Sequence, residues 1–142
     1  MQKATLDLSQ PNNKHADERL RQDLMLWIGT TRPDGRPHLV PVWFLWDGQT
    51  ILVFSKPDQK IRNLRQNKNV MLSLDDTHDG SDVVLIEGEA ELLTHADVAA
   101  SAPAYAEKYA KKLASNHWTL DSMAADYSEV IRITPTKFRA YS

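Results

Sequence analysis

The segment Pro37 to Trp46 puts His38, Val40, Val42, Phe44 and Trp46 on one face of an extended strand, and Leu39, Pro41, Trp43 and Leu45 on the other. Both faces are apolar, so each must be covered. The segment reads as the second arm of a hairpin. Its first arm is Met25 to Thr31, with aromatic and β-branched character, and Pro33-Asp34-Gly35-Arg36 supplies a turn in which Gly35 can take a positive φ. An Asp47-Gly48 turn then leads to a third strand, Thr50 to Phe54, and a fourth follows at Asn69 to Leu74. The fifth, Ser81 to Leu93, has one wet face, since Glu87, Glu89 and Glu91 alternate with Ile86, Gly88, Ala90 and Leu92.

Helical patterns interrupt and follow these strands. Ala16 to Leu24 reads as a short amphipathic helix, and Ala96 to Ala114 as the main helix, with Pro103 starting a new segment or kinking the old one. A shorter helix over Leu120 to Ala125 precedes a strand at Glu129 to Thr134, and a last strand, Lys137 to Tyr141, follows Pro135. Five strands, helices and two strands suggest a mainly β protein with appended helices, an antiparallel barrel. The expected organisation is a flexible N-terminal arm over residues 1–15 and a single domain over 16–142. The longest apolar run, Leu39 to Trp46, is far too short to span a membrane, so a soluble chain is expected. The absence of cysteine removes disulfides, thiolate metal sites and cysteine nucleophiles, and it points to the cytoplasm.

The chemistry concentrates just after the third strand. Between Ser55 and Lys68, five basic residues (Lys56, Lys60, Arg62, Arg65 and Lys68) face one acid, Asp58, in a chain of net charge -2. A hydroxyl, cations and the free amides of a helix start are what a phosphate requires, so a phosphorylated cofactor is the first hypothesis. The competing reading is a solvated helix face with Arg62, Arg65 and Lys68 outward and Ile61 and Leu64 inward. Lys60 is the cation that separates from that face. A pI near 6.2 argues against a general nucleic-acid binder.

Other motifs weigh less. None of the five histidines has the helical spacing of a zinc enzyme, so no metal is expected; His38 is either a ligand contact or a structural histidine. The acidic stretch Asp75 to Asp82 fails as a calcium loop, because Ile86 stands where a bidentate Glu is needed. No Gly-x-Gly-x-x-Gly or Walker loop occurs, which excludes nucleotide binding by those routes. Tyr105 and Tyr109 form an i, i+4 helical pair that reads as packing. Trp118 is either a core plug or a cover for a flat ligand in a neighbouring subunit.

Taken together, Leu26 to Thr31, the Pro-Asp-Gly-Arg-Pro turn, Val40-Pro41-Val42-Trp43-Phe44, Asp47-Gly48, and Ser55-Lys56 followed by Lys60, Asn63-Leu64 and Asn67 resemble the pyridoxamine 5'-phosphate oxidase-like split β-barrel family. The resemblance runs through residues 16 to 142 and is strongest from Leu24 to Leu74. It is closest to the small members that use the deazaflavin coenzyme F420. It implies an FMN-binding type of split barrel and a homodimer with two cofactor grooves at the interface. Ser55, Lys56 and Lys60 would hold the cofactor phosphate, Asn63 would stand at the edge of that site, and Val40, Pro41, Val42 and Trp43 would lie along the ring. Trp118 joins them as the cover. The implied activity is hydride transfer from reduced F420 to an unsaturated small molecule, with FMN as the alternative cofactor. No catalytic acid or base stands out, and His38 and Tyr109 are the only candidates. The C-terminal substrate-phosphate motif of the full oxidases, rich in Arg and Trp, is missing from Thr136 to Ser142, which argues against vitamin B6 oxidation. Two rivals are a non-catalytic module for a flavin or haem and a barrel that stacks single-stranded nucleic acid on Trp27 and Trp43.

Overall fold

A computed structural model describes residues 2–75 and 79–141. Of the acidic connection read from Asp75 to Asp82, Asp76 to His78 therefore lie outside the described residues. In chain order the elements are α1 (Pro11–Gln22), β1 (Leu26–Thr31), β2 (Pro37–Val42), β3 (Leu45–Trp46), β4 (Ile51–Ser55), α2 (Gln59–Gln66), β5 (Asn69–Leu74) and β6 (Val83–Leu93). There follow a 3₁₀ turn (Ala96–Ser101), α3 (Ala102–Lys108), α4 (Ala110–Ser115), α5 (Leu120–Asp126) and β7 (Glu129–Tyr141). No helix among these residues is long and apolar enough to cross a membrane.

The strands form one antiparallel sheet in the order β2-β1-β5-β6-β7-β4-β3. Its two edge strands, β2 and β3, are separated in the chain by Trp43 and Phe44 alone. Two residues span only about 7 Å. The sheet must therefore curl until its edges nearly meet, which gives a split barrel with β-structure dominant and helices appended.

The seam explains why Pro37 to Trp46 is two strands rather than the one expected. At Phe44 the backbone bonds to side chains instead of a neighbouring strand. Its N–H donates to the Tyr109 hydroxyl at 2.8 Å, and its carbonyl faces the same hydroxyl at 2.9 Å and accepts from Lys108 Nζ at 2.8 Å. The Tyr109 proton is shared with the Leu24 carbonyl, also at 2.8 Å. Lys108 rests on the face of the Phe44 ring, 3.7 Å from its centroid.

The demand for cover on both faces is met by two cores. Ile51 and Val53 of β4 point into the barrel among Leu20, Ile28, Phe44, Leu72, Ile86 and Ile133. Leu52 and Phe54 point the other way, under Tyr105, Tyr109, Leu113 and Met123 of the helices. Trp43 and Leu45 join that second layer, while Trp46 turns into the barrel and donates its indole N–H to Asp17 at 2.9 Å.

Other boundaries also differ from expectation. α1 begins at Pro11, inside the stretch expected to be a loose arm, because proline's fixed φ suits a first helical position and removes an unused donor. The expected long helix over Ala96 to Ala114 is a 3₁₀ turn and two short helices. Pro103 opens α3, and Tyr109 breaks helical geometry at φ -105°. The two final strands are one, because Pro135 sits where a register shift between Glu87 and Gly88 relaxes the ladder. There the β6 backbone lies against β7 so closely that a Cβ on Gly88 would meet Ile133 Cγ2 at 2.8 Å and the Thr134 carbonyl oxygen at 2.9 Å.

Two outcomes follow. Gly88→Ala is expected to lower stability by about 1–3 kcal/mol in urea unfolding, through overpacking against fixed backbone. Burial of the Lys108 amine, against the opposing pull of Asp23, pushes its pKa down to about 8. The unfolded chain therefore holds more protons than the fold between pH 8 and lysine's ordinary 10.5. The cost of burying this ammonium is present in full below pH 8 and fades as pH rises. The stability of the native chain relative to Lys108→Met should therefore increase from pH 8 towards 10.5, and a flat difference would contradict the assignment.

Candidate functional site

The seam and the start of α2 enclose a cleft of about 460 Å³, a volume typical of small-molecule sites. Val40, Pro41, Val42 and Trp43 form one wall, and Lys56, Asp58 and Lys60 supply its charged groups. Phe54, Tyr105, Met123 and Tyr127 close it from the second core, with Met25 and Trp118 completing the lining.

Trp43 is held flat by Tyr109, whose ring lies parallel to it at 4.6 Å with planes 5° apart. The hydroxyl that fixes the seam thus belongs to the ring that fixes the wall. Trp118 reaches the cleft through the turn after α4. His117 adopts φ +56°, its amide donates to the Ala114 carbonyl at 3.1 Å, and the Trp118 amide donates to the Leu113 carbonyl at 2.8 Å. This paired closure terminates the helix and swings Trp118 across to Trp43, with ring centroids 6.2 Å apart. Trp118 stays 41% exposed.

The charged groups come from the β4–α2 connection. The Lys60 side chain is only 8% exposed, and its ammonium donates to Asp58 Oδ2 at 2.6 Å. The other oxygen, Asp58 Oδ1, is buried with no hydrogen-bond partner among the described residues. Lys56 is exposed, with its ammonium 5.4 Å from the centroid of the Tyr127 ring. Farther along α2, Arg62 donates to Gln59, while Arg65 and Lys68 pair with Glu129 and Glu89; all three cations face outward as a solvated surface.

Seven of the expected site residues therefore meet in one cleft: Val40, Pro41, Val42, Trp43, Lys56, Lys60 and Trp118. Ser55 and Asn63 do not line it. The Ser55 hydroxyl donates to the Lys56 carbonyl at 2.6 Å, and Asn63 is buried, donating to Thr30 Oγ1 at 2.9 Å and accepting from Gln59 at 2.7 Å. Asn63 ties α2 to β1 and thereby sets where Lys60 stands. His38 also lies off the cleft, with Nδ1 buried and without a partner among the described residues, and the Tyr109 hydroxyl is occupied by backbone. Asp58, Tyr105, Phe54, Met25, Met123 and Tyr127 also line the cleft, beyond the residues expected from the sequence. Asp58 was visible as the lone acid in the basic run, whereas Tyr105 was hidden in a helical pair that reads as packing. Among the described residues no group of three or more His, Asp or Glu side chains could hold a metal ion.

A donor set of buried ammonium, apolar wall and two indole rings suits a flat ring that carries an anionic group. Asp58 is the one discordant element, since it occupies Lys60 and would have to yield to an incoming phosphate.

Comparison with known proteins agrees with the split-barrel fold. The chain resembles the structure of an F420 reductase at 25% identity, covering 87% of this chain and 94% of that one with a TM-score of 0.67. It also resembles a conserved hypothetical protein of Mycobacterium tuberculosis (22% identity, 100% and 89% covered, TM-score 0.71) and a haem storage protein of Vibrio cholerae (13%, 97% and 96%, TM-score 0.70). No protein of curated function matches. The family model described as pyridoxamine 5'-phosphate oxidase matches residues 13–142, nearly the whole domain, and the chain belongs to that family.

Proposed function

We propose that the cleft binds a flavin-type ring through its phosphate, most closely F420 with FMN as the alternative, and that the protein is an oxidoreductase acting on an unsaturated small molecule. The observation that carries this reading is Lys60, an ammonium buried at the cleft with one carboxylate for company and an indole-lined wall beside it. Its likeness to an F420 reductase supports the choice of cofactor. When bound, such a ring supplies hydride transfer.

The residues of this chain do the rest. Lys60 and Lys56 neutralise the phosphate, and first-turn amides of α2 would add directed donors. Asp58 must release Lys60 for that to happen, turning to solvent, where its side chain is already 45% exposed. Val40 to Trp43 lie along the ring, and Trp118 covers the open side and keeps water from it. Ser55 and Asn63 act indirectly by shaping the turn and seating α2. None of these groups is assigned as a proton donor.

A homodimer is part of the proposal. Across β2, β1 and β5, Leu39 and Met71 flank Gly29 in register and are 63% and 42% exposed. This outward row is an apolar surface that a second copy would cover.

Titration of the purified protein with F420 and with FMN, followed by fluorescence, tests the reading. Micromolar or tighter binding of one is expected, and no binding of either would sink it. Lys60→Ala should weaken binding by about 1.5–3 kcal/mol, the worth of a charge-assisted hydrogen bond. Asp58→Asn should strengthen it, because the competitor for Lys60 loses its charge.

A further inference from the structure

Tyr105 of α3 is 2% exposed, and its ring is wedged between Phe54, at 4.6 Å between centroids with planes 63° apart, and Tyr109 at 4.8 Å. Among the described residues no protein group hydrogen-bonds its hydroxyl, in contrast to the fully engaged hydroxyl of Tyr109 one turn on. The hydroxyl is open to space rather than sealed in the core, since the buried side-chain atoms without a partner among the described residues are His38 Nδ1 and Asp58 Oδ1. The space that Tyr105 borders is the cleft.

We propose that the Tyr105 hydroxyl donates a hydrogen bond to a carbonyl oxygen on the flat conjugated ligand of the cleft. This rests on the reading of the cleft as a ring site, and it adds the chemical group by which the ring is recognised. Burial and the neighbouring tyrosines push ionisation of Tyr105 far above the usual tyrosine range, so the hydroxyl keeps its proton at every physiological pH. It is a fixed neutral donor rather than a proton carrier. A neutral donor suits a neutral acceptor such as a ring carbonyl, whereas the anionic part of the ligand is matched by Lys56 and Lys60. The ring contacts with Phe54 and Tyr109 leave the hydroxyl little freedom, so it selects for acceptor position as well as type.

The test uses three probes, riboflavin, FMN and F420, all of which carry ring carbonyls while riboflavin lacks phosphate. Binding to the native chain, Tyr105→Phe and Lys60→Ala is followed by quenching of tryptophan fluorescence, and thermal unfolding of each unliganded protein is recorded. Tyr105→Phe should bind all three probes about tenfold more weakly, the loss of one hydrogen bond. Its unfolding midpoint should stay at that of the native chain, because no hydrogen bond within the protein is lost. Lys60→Ala should lose FMN and F420 affinity and keep that for riboflavin. An unmoved Tyr105→Phe beside a weakened Lys60→Ala overturns this inference alone, and so does a lowered midpoint in Tyr105→Phe. A weakened Tyr105→Phe beside an unmoved Lys60→Ala upholds the inference and overturns the phosphate assignment. Failure of the native chain to bind any probe overturns both.

Discussion

The hydroxyl of Tyr109 on the backbone of Phe44 is the interaction on which the rest of the structure depends. A sheet whose first and last strands are joined by two residues has to close, yet the joining residues cannot belong to either ladder. Phe44 would then carry an unsatisfied N–H and C=O in the interior, at a cost of about 1–3 kcal/mol for each group. Tyr109 and Lys108 meet both needs from the helical layer. The same contact sends Phe44 into the barrel and Trp43 out against the Tyr109 ring, so closure of the barrel and formation of the cleft wall are one event.

The second half of the cleft follows from burial of charge. An ammonium as enclosed as that of Lys60 is unfavourable unless paired, and breaking such a pair costs more than the pair contributes. The fold holds Lys60 by two devices: Asp58 supplies the counter-charge, and the Asn63 to Thr30 hydrogen bond docks α2 on β1. Asp58 is half-exposed and, among the described residues, one of its oxygens has no partner, so it is held less firmly than Lys60. In the proposed phosphate site Lys60 is the fixed cation and Asp58 the anion that gives way. The open indole of Trp118 adds a cover to it.

Much of this was legible in the sequence, and the part that was not has physical causes. Alternation on two apolar faces announced strands buried on both sides, and the charge after β4 announced Lys60, because both are local patterns. The break at Trp43 and Phe44 was invisible, since the residue that decides it lies 65 positions away. Pro135 suggested a strand end. It is tolerated because Gly88, on another strand, lets the backbones approach and the register slip. Ser55 and Asn63 were placed at the phosphate by the family resemblance, while in the fold their side chains bond to the Lys56 carbonyl and to Thr30. Tyr105 and Tyr109 are indistinguishable as an i, i+4 pair, and only tertiary contacts show that one hydroxyl is engaged and the other free.

The account stands on the claim that Lys60 exchanges Asp58 for a ligand phosphate within this cleft. A crystal structure of the protein grown with F420 or FMN examines that directly. The expected result is a phosphate oxygen within hydrogen-bond distance of Lys60 Nζ, the Asp58 carboxylate turned away, and the ring along Val40 to Trp43. A ring bound elsewhere, or a phosphate held away from Lys60 while the Asp58 pair stays closed, would contradict it.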